Sequence, residues 1–246
     1  MNISRIQIAT IFKLDKRIVL TCGEKLKKLE KDINGKLQLI NIPDYVPPDA
    51  PRAMIKNIDT LINLSLNRLD IIITPPLHIL SDIKSSMNYV KNKSERILSI
   101  FNVDELGYEW SGCVVICEFP KLGGETGIKS VTPIFDSLIK IDRNNCELSS
   151  FQLNFGFTEE SISRNFTVAG YEKKQIKLTN IKDAQSVLIK LSEMPSQEVG
   201  IQITIDLNNK KNKQLGSLKD IEQLIVGMEN ELNILPKTLK LEGILT

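Results

Sequence analysis

The sequence LDIIITPPLHILSDIKSSMNYVKNKSERILSIF, residues 69–101, decides the predicted fold of this chain. Its first five residues, 69–73, are rich in isoleucine and predict a strand, which Thr74-Pro75-Pro76 ends. The apolar residues that follow recur mainly at steps of three and four, the spacing of one long amphipathic helix. They are Leu77, Leu80, Ile83, Met87, Val90, Ile97 and Phe101. Such a helix spans roughly 37 Å at about 1.5 Å per residue, so we expect it to lie across a whole sheet.

A strand followed by a long helix occurs again near the end of the sequence. Residues 199–207 predict a strand, with Ile201, Ile203 and Ile205 on one face. Residues 217–235 repeat apolar residues at three and four, with Ser217 as candidate N-cap. Strands segregated from long helices favour an α+β fold. We predict mostly antiparallel sheets, each covered by a long amphipathic helix. Two similar subdomains, 1–106 and 107–246, and one continuous domain both remain open, and an internal duplication is a hypothesis.

Shorter patterns predict the remaining elements. Strands are predicted at 5–14, 37–42, 54–55, 61–66, 109–119, 148–157, 166–169 and 175–178, and helices at 22–33, 131–141 and 181–191. Asn34-Gly35 ends the first helix, because both residues tolerate a positive φ. Residues 43–51 hold four prolines and predict an extended loop. We expect this loop to be a stiff crossover; the alternative is a docking strip for a partner.

The composition is that of an ordinary globular protein. The chain has 246 residues, of which 41% are hydrophobic and 25% charged, with a formal net charge of +2. These values exclude disordered and collagen-like classes, and so small a net charge indicates no nucleic-acid partner by itself. The first residues lack a secretory pattern, and no apolar run approaches the roughly 20 residues of a membrane span. We expect a cytoplasmic protein without membrane contact.

Cysteine and histidine are too sparse for the common catalytic and metal sites. Cys113 and Cys117 would share one face of a strand about 13 Å apart, too far for a disulfide or a shared metal ion. Cys22 and Cys146 are isolated in the sequence, and His78 is the single histidine. No histidine pair, nucleophile motif or metal-ligand spacing is present. We therefore predict no catalytic residues, no metal and no cofactor, and favour a protein that is not an enzyme.

The sequence GGETGIKS, residues 123–130, is the nearest approach to a ligand-binding motif. It follows a predicted strand and precedes a predicted helix, the setting in which backbone N–H groups bind phosphate. It departs from the P-loop, because only three residues separate Gly123 from Gly127 and Ile128 precedes the lysine. The candidate ligand-binding residues are Gly123, Gly124, Gly127, Lys129 and Ser130. The alternative is an ordinary surface loop.

Charged residues offer two further alternatives. The carboxylates Asp104, Glu105, Glu109, Glu118 and Glu125 could line an acid–base site near the first strand of the second half, although acidic residues at loop ends are usually solvated. Lysine and arginine residues cluster at 25–31, 91–96, 173–177 and 210–213. Because aromatic residues make up only 5% of the chain, bases would find few stacking partners, and solvated helix faces are the expected role of these clusters.

One segment carries a family resemblance. Pro51-Arg52, the turn Asn57-Ile58-Asp59 and the strand Leu61–Leu69 with Arg68 resemble a pattern in sporadically distributed bacterial proteins, a family with no assigned activity. The likeness covers about the first 110 residues. Asp70 and an isoleucine run stand where the family has an aromatic residue after the arginine. The resemblance implies a small cytosolic bacterial protein, often carried on variable genomic islands, and transfers no site residues.

Two functional hypotheses follow. The first is a non-enzymatic protein-interaction or assembly module of a bacterial cytosolic system, with defence or mobile elements as the expected context by analogy. It would bind a partner protein, or a second copy of itself, through a sheet edge or a long helix. The alternative is a nucleotide- or nucleic-acid-binding protein that uses the 121–130 loop, with Lys121 and Lys129 as its cations.

Overall fold

The computed structural model describes residues 1–43, 45–121, 126–138, 148–159, 161–174, 196–210 and 218–238. It is a mixed α+β structure dominated by one antiparallel sheet. The strands are β1 (Asn2–Phe12), β2 (Lys36–Leu39), β3 (Ala53–Lys56), β4 (Thr60–Leu64), β5 (Arg68–Ile73), β6 (Tyr108–Lys121), β7 (Gln152–Glu159), β8 (Ile162–Lys174) and β9 (Ser196–Asn208). Where we expected several sheets, these strands form a single one.

The order across the sheet is β2-β3-β4-β5-β1-β6-β9-β8-β7. Its centre is the long antiparallel pair β1·β6, in which Ile6 lies opposite Val115 and Ile8 opposite Cys113. On one side of this pair β5 follows β1, and on the other β9 follows β6. The outermost strands, β2 and β7, each pair with one described neighbour, so the described sheet ends at these two edges.

The helices are α1 (Ile18–Thr21), α2 (Gly23–Asp32), α3 (Ile83–Phe101), α4 (Gly127–Leu138) and α5 (Leu218–Thr238). The predicted stop after α2 is confirmed at Asn34, which has a φ of +50°. The helix predicted from Leu77 instead begins with a short 3-10 turn, and α3 starts at Ile83 because the Asp82 side chain accepts a bond from the Ser85 N–H. None of the helices in the described ranges is long and apolar enough to cross a membrane.

One cluster of buried side chains joins the sheet to the helices. In β5, and over much of β1 and β9, alternate residues are buried, as the period of a half-buried strand requires. These side chains pack with apolar residues of α2, α3, α4 and α5. Helix α3 contacts β1, α5 contacts β6 and β9, α4 contacts β8 and β9, and the two long helices contact each other.

Several boundaries differ from the sequence expectations. Strand β8 runs from Ile162 to Lys174, although the pattern predicted only 166–169, because ladder bonds to β7 and β9 hold its polar ends. Helix α4 starts four residues before the expected position and contains Pro133. The predicted elements at 175–178 and 181–191, Ser217 and Cys146 lie outside the described residues.

Candidate functional site

The free edge of β2 is the first part of the candidate site. Beyond the end of the strand the Ile40 N–H donates to the Arg52 carbonyl oxygen at 2.9 Å, so the ladder with β3 continues by one residue. The alternation of an antiparallel ladder then turns the N–H and C=O of Leu39 away from β3. The Leu37 N–H is occupied, because it donates to Glu30 of α2 at 2.8 Å. Among the described residues the edge is therefore capped at Leu37 and open at Leu39, a residue that is 63% exposed.

Arg52 is the second part of the site. It lies directly before β3, and its own N–H donates to the Leu64 carbonyl oxygen at 2.7 Å, which fixes its backbone against β4. The residue is only 9% exposed. Its NH1 atom is buried without a hydrogen-bond partner, and the guanidinium is in no ion pair within the described ranges. Buried polar atoms are nearly always hydrogen-bonded, so this arginine is unusual.

A cavity of about 380 Å³ connects the free edge to Arg52. It is lined by Lys16, Val19, Leu39, Ile40, Asn41, Ile42, Arg52 and Leu66. The volume lies within the range of small-ligand pockets, and the lining combines aliphatic walls with a few polar groups, as such pockets do. We call this cavity, together with the open edge at Leu39, the β2 pocket.

The charge of the β2 pocket sets it apart. Its described lining contains two cations, Lys16 and Arg52, and no carboxylate. Three other cavities have an acidic residue in their walls: Glu172 in one near α4, Glu231 in one near β7, and Asp59 in one beside the β3–β4 turn. An acidic group entering the β2 pocket would therefore meet positive charge from Arg52, whose NH1 has no hydrogen-bond partner.

A second cluster, on β6, β8 and β9, is already internally paired. Lys173 Nζ donates to Glu118 Oε2 at 2.6 Å and to Glu198 Oε1 at 2.9 Å, and the Tyr171 hydroxyl donates to Glu198 Oε1 at 2.8 Å. The hydrogen bond from Lys173 holds the pKa of Glu198 below its usual value. Burial, and then the bond to Glu198, raises the pKa of Tyr171. Each member therefore has its counter-charge or hydrogen bond within the cluster.

A third cluster ties α3 to the β3–β4 turn. Tyr89 and Lys93 both donate to the Asp59 carboxylate, and the Thr60 hydroxyl donates to it at 2.8 Å. Partial burial raises the pKa of Asp59, but these hydrogen bonds outweigh burial and hold the pKa below its ordinary value. This cluster fixes a turn against a helix and, like the second, contains its own counter-charges.

Of the five residues predicted from the glycine-rich loop, three lie within the described residues. Gly123, Gly124 and Glu125 lie outside the described residues. Gly127 begins α4, Lys129 is exposed and Ser130 is fully buried, so the last two do not face a common point. A Cβ on Gly127 would lie 2.7 Å from the Tyr171 carbonyl oxygen, which gives this glycine a packing role. Phosphate binding at the loop stays a prediction.

The other candidate residues are separated from one another. Cys113 and Cys117 are both buried in β6, as the strand spacing predicts, and burial raises the pKa of each thiol to about 12. His78 is exposed in the 3-10 turn before α3. Glu105 forms an ion pair with Lys25 at 3.0 Å, and Glu109 is exposed. Within the described ranges no group of three or more acidic, cysteine or histidine side chains could hold a metal ion.

The β2 pocket escaped the sequence analysis because nothing in the sequence marks Arg52 as buried. Arginine is one of the residues least often buried, and the family resemblance assigned it no role. One usable signal was present: Arg52 stands between a proline-rich loop and the apolar strand Ala53–Ile55.

Comparison of the chain with protein-family models finds no match, and comparison with curated proteins finds none either.

Proposed function

We propose that this protein is a non-enzymatic interaction module that docks an extended segment of a partner protein along the open edge at Leu39. The observation that carries the proposal is the free backbone of Leu39 beside the β2 pocket. An added strand gains affinity from main-chain hydrogen bonds and specificity from side-chain pockets. Here Leu39, Ile40, Asn41 and Ile42 lead directly from the edge into the pocket wall. A segment that pairs with the edge would place a side chain in the cavity.

The test uses a random 12-residue peptide library displayed on phage and the full-length chain as bait. Peptides that are enriched would be synthesised with a fluorophore, and their Kd measured by fluorescence anisotropy. Leu39→Pro removes the outward N–H without breaking a bond to β3, and we expect it to weaken binding at least tenfold. Leu77→Ser is the matched control, because Leu77 is also highly exposed and belongs to a different part of the fold; binding should stay within twofold.

Two outcomes would contradict the docking proposal. The first is a selection that enriches no peptide, or peptides that bind Leu39→Pro as tightly as the native chain. The second is a mass of twice 27.7 kDa in light scattering that Leu39→Pro reduces to one chain, which would make a second copy the occupant of the edge. Thermal unfolding of both variants checks that the substitutions leave the fold intact.

The proposal extends to the architecture. We infer that residues 1–106 and 107–246 are two similar units, each with a long helix over its part of the sheet. The strand order supports this inference, because the central strand β1 of the first half has β5 beside it and the central strand β6 of the second half has β9 beside it. Co-expression of the two fragments tests it: they should assemble into a stable complex through β1·β6. Fragments that stay apart or insoluble would contradict it.

The nucleotide alternative keeps its own test. Lys129→Ala would abolish a thermal shift caused by ATP or GTP if Lys129 holds a phosphate. The absence of a shift with either nucleotide would remove this function. A bacterial cytosolic setting, with a role in defence or mobile elements, is likewise a proposal that rests on analogy.

A further inference from the structure

The guanidinium of Arg52 is a buried cation without a counter-charge among the described residues. Arginine keeps its positive charge in proteins, and burial of a charge is costly unless the charge is paired and hydrogen-bonded. Arg52 is 9% exposed, its NH1 has no partner, and the lining around it adds Lys16 rather than an acid. The cost of this arrangement is recovered when a ligand supplies the missing negative charge.

We infer that the β2 pocket is a carboxylate receptor, in which Arg52 pairs with an acidic group on the docked peptide segment. This inference rests on the proposed docking function and names the chemistry that the partner must carry. The acidic group is the side chain of an aspartate or glutamate, or the carboxylate at a C-terminus. All three present the same planar pair of oxygens, which matches the fork of guanidinium donors.

The lining fits a carboxylate on a peptide better than a highly charged anion. One buried guanidinium and one exposed lysine are few cations for a phosphate group, which carries nearly two negative charges. The aliphatic walls from Val19, Leu39, Ile40, Ile42 and Leu66 suit the methylene groups of an acidic side chain or its neighbours. The free edge at Leu39 supplies the hydrogen bonds that a peptide backbone, unlike a free anion, can use.

The position of Arg52 also couples the pocket to the edge. The Arg52 carbonyl oxygen accepts from Ile40, the residue next to Leu39, so the same backbone bond fixes both parts of the site. A segment paired at Leu39 therefore passes the pocket at a fixed register. The acid should stand at one defined position of the bound sequence.

The experiment compares acidic peptides with their amide counterparts. The probes are the fluorescent peptides enriched by the phage library, each synthesised with its acid intact and with aspartate, glutamate or the C-terminus converted to the amide. On the native chain we expect one of the three conversions to weaken binding at least tenfold, and which one identifies the source of the carboxylate. This comparison needs no variant of the protein, so it stands even if a substitution prevents folding.

Protein variants then test whether Arg52 causes the preference for the acidic peptide over its amide. In Arg52→Met the acidic peptide and its amide should bind with Kd values within twofold of each other. In Lys16→Met, which removes one positive charge at an exposed position of the same cavity, the preference for the acid should persist. Without peptide, Arg52→Met should unfold at a temperature no lower than that of the native chain, because a buried unpaired charge is replaced by an apolar side chain of similar size.

The outcomes separate this inference from the docking proposal. Peptides that bind through Leu39 but tolerate every acid-to-amide conversion would overturn the carboxylate receptor and leave docking intact. Acid-dependent binding that Arg52→Met abolishes and Leu39→Pro leaves unchanged would overturn edge docking and retain the receptor chemistry. A marked fall in the unfolding temperature of Arg52→Met would show that the guanidinium has a partner within the chain, which also overturns the inference.

Discussion

Replacing Gly170 by alanine should disrupt the contact between α4 and β8. A Cβ at this position would lie 2.1 Å from the Gly127 carbonyl oxygen and 2.6 Å from the Gly127 carbonyl carbon. Real Cβ atoms essentially never come within 3.0 Å of such neighbours. The obstacle is backbone at the start of α4, so it cannot rotate aside. Helix and strand must separate by about 1 Å, which breaks close packing over their whole contact.

The expected cost combines two opposing terms. Overpacking costs about 1–3 kcal/mol, and a contact with backbone belongs near the upper end of that range. Alanine recovers about 0.5–1 kcal/mol of backbone entropy relative to glycine. The net loss of unfolding free energy is about 2 kcal/mol. For a chain of this length it corresponds to a fall in Tm of roughly 4–8 °C.

Gly227→Ala is the matched control for this prediction. Gly227 lies inside α5, and a Cβ there would meet Leu207 Cδ1 at 3.5 Å, an ordinary contact. The same substitution should therefore stabilise the protein by about 0.5–1 kcal/mol. Urea denaturation followed by far-ultraviolet circular dichroism measures both variants. If Gly170→Ala unfolds at the same or a higher urea concentration than the native chain, the close approach of α4 to β8 is wrong.

Three further predictions concern the rest of the molecule. Ile97→Val, in the buried face of α3, should lower the unfolding free energy measured by urea denaturation by about 0.5–1.5 kcal/mol. Ile58→Val, at a fully exposed position, should change it by less than about 0.5 kcal/mol. Equal effects of the two substitutions would contradict the assigned burial. Because the pKa of Asp59 is depressed in the folded state, its ionised form adds stability above the unfolded pKa, and this stability is lost as pH falls through the folded pKa. In Asp59→Asn, Tm should therefore fall less than in the native chain as the pH drops below about 4. If the two proteins lose the same amount of Tm over this range, the hydrogen bonds to Asp59 do not stabilise the fold. Burial and raised pKa values should keep Cys113 and Cys117 unmodified by iodoacetamide at pH 8 until urea unfolds the chain, as peptide mass spectrometry can establish.

The sequence predicted best the elements whose burial is regular. The alternation of apolar and polar residues predicted β1 and β9, and apolar residues at steps of three and four predicted α3 and α5. Each of these elements buries one face or stripe against a common core. Local chemistry located the end of α2 at Asn34. Signals of this kind act within a few residues of sequence, so they can be read without knowing which strand lies beside which.

Local signals of this kind could not predict that β1 pairs with β6. The pairing joins residues about 110 positions apart, and either strand alone would pair as well with another apolar strand. The polar ends of β8 were not predicted for a related reason. Pairing with β7 and β9 stabilises the first end, and pairing with β9 stabilises the second, in a backbone whose local propensity favours no one structure. These two features follow from long-range contacts, which periodicity does not encode.

The β2 pocket shows why function was harder to predict than fold. A sequence pattern can say that Arg52 precedes a strand. The role of Arg52 depends on its surroundings in the fold, where the described lining of the cavity contains no acidic side chain and NH1 has no hydrogen-bond partner. Two of the carboxylates that the sequence singled out have the opposite property, since Glu118 and Glu105 each form an ion pair with a lysine. A charge paired within the chain has a structural explanation already. The charge of Arg52 has no such explanation within the described structure, and for that reason we infer that it binds a ligand.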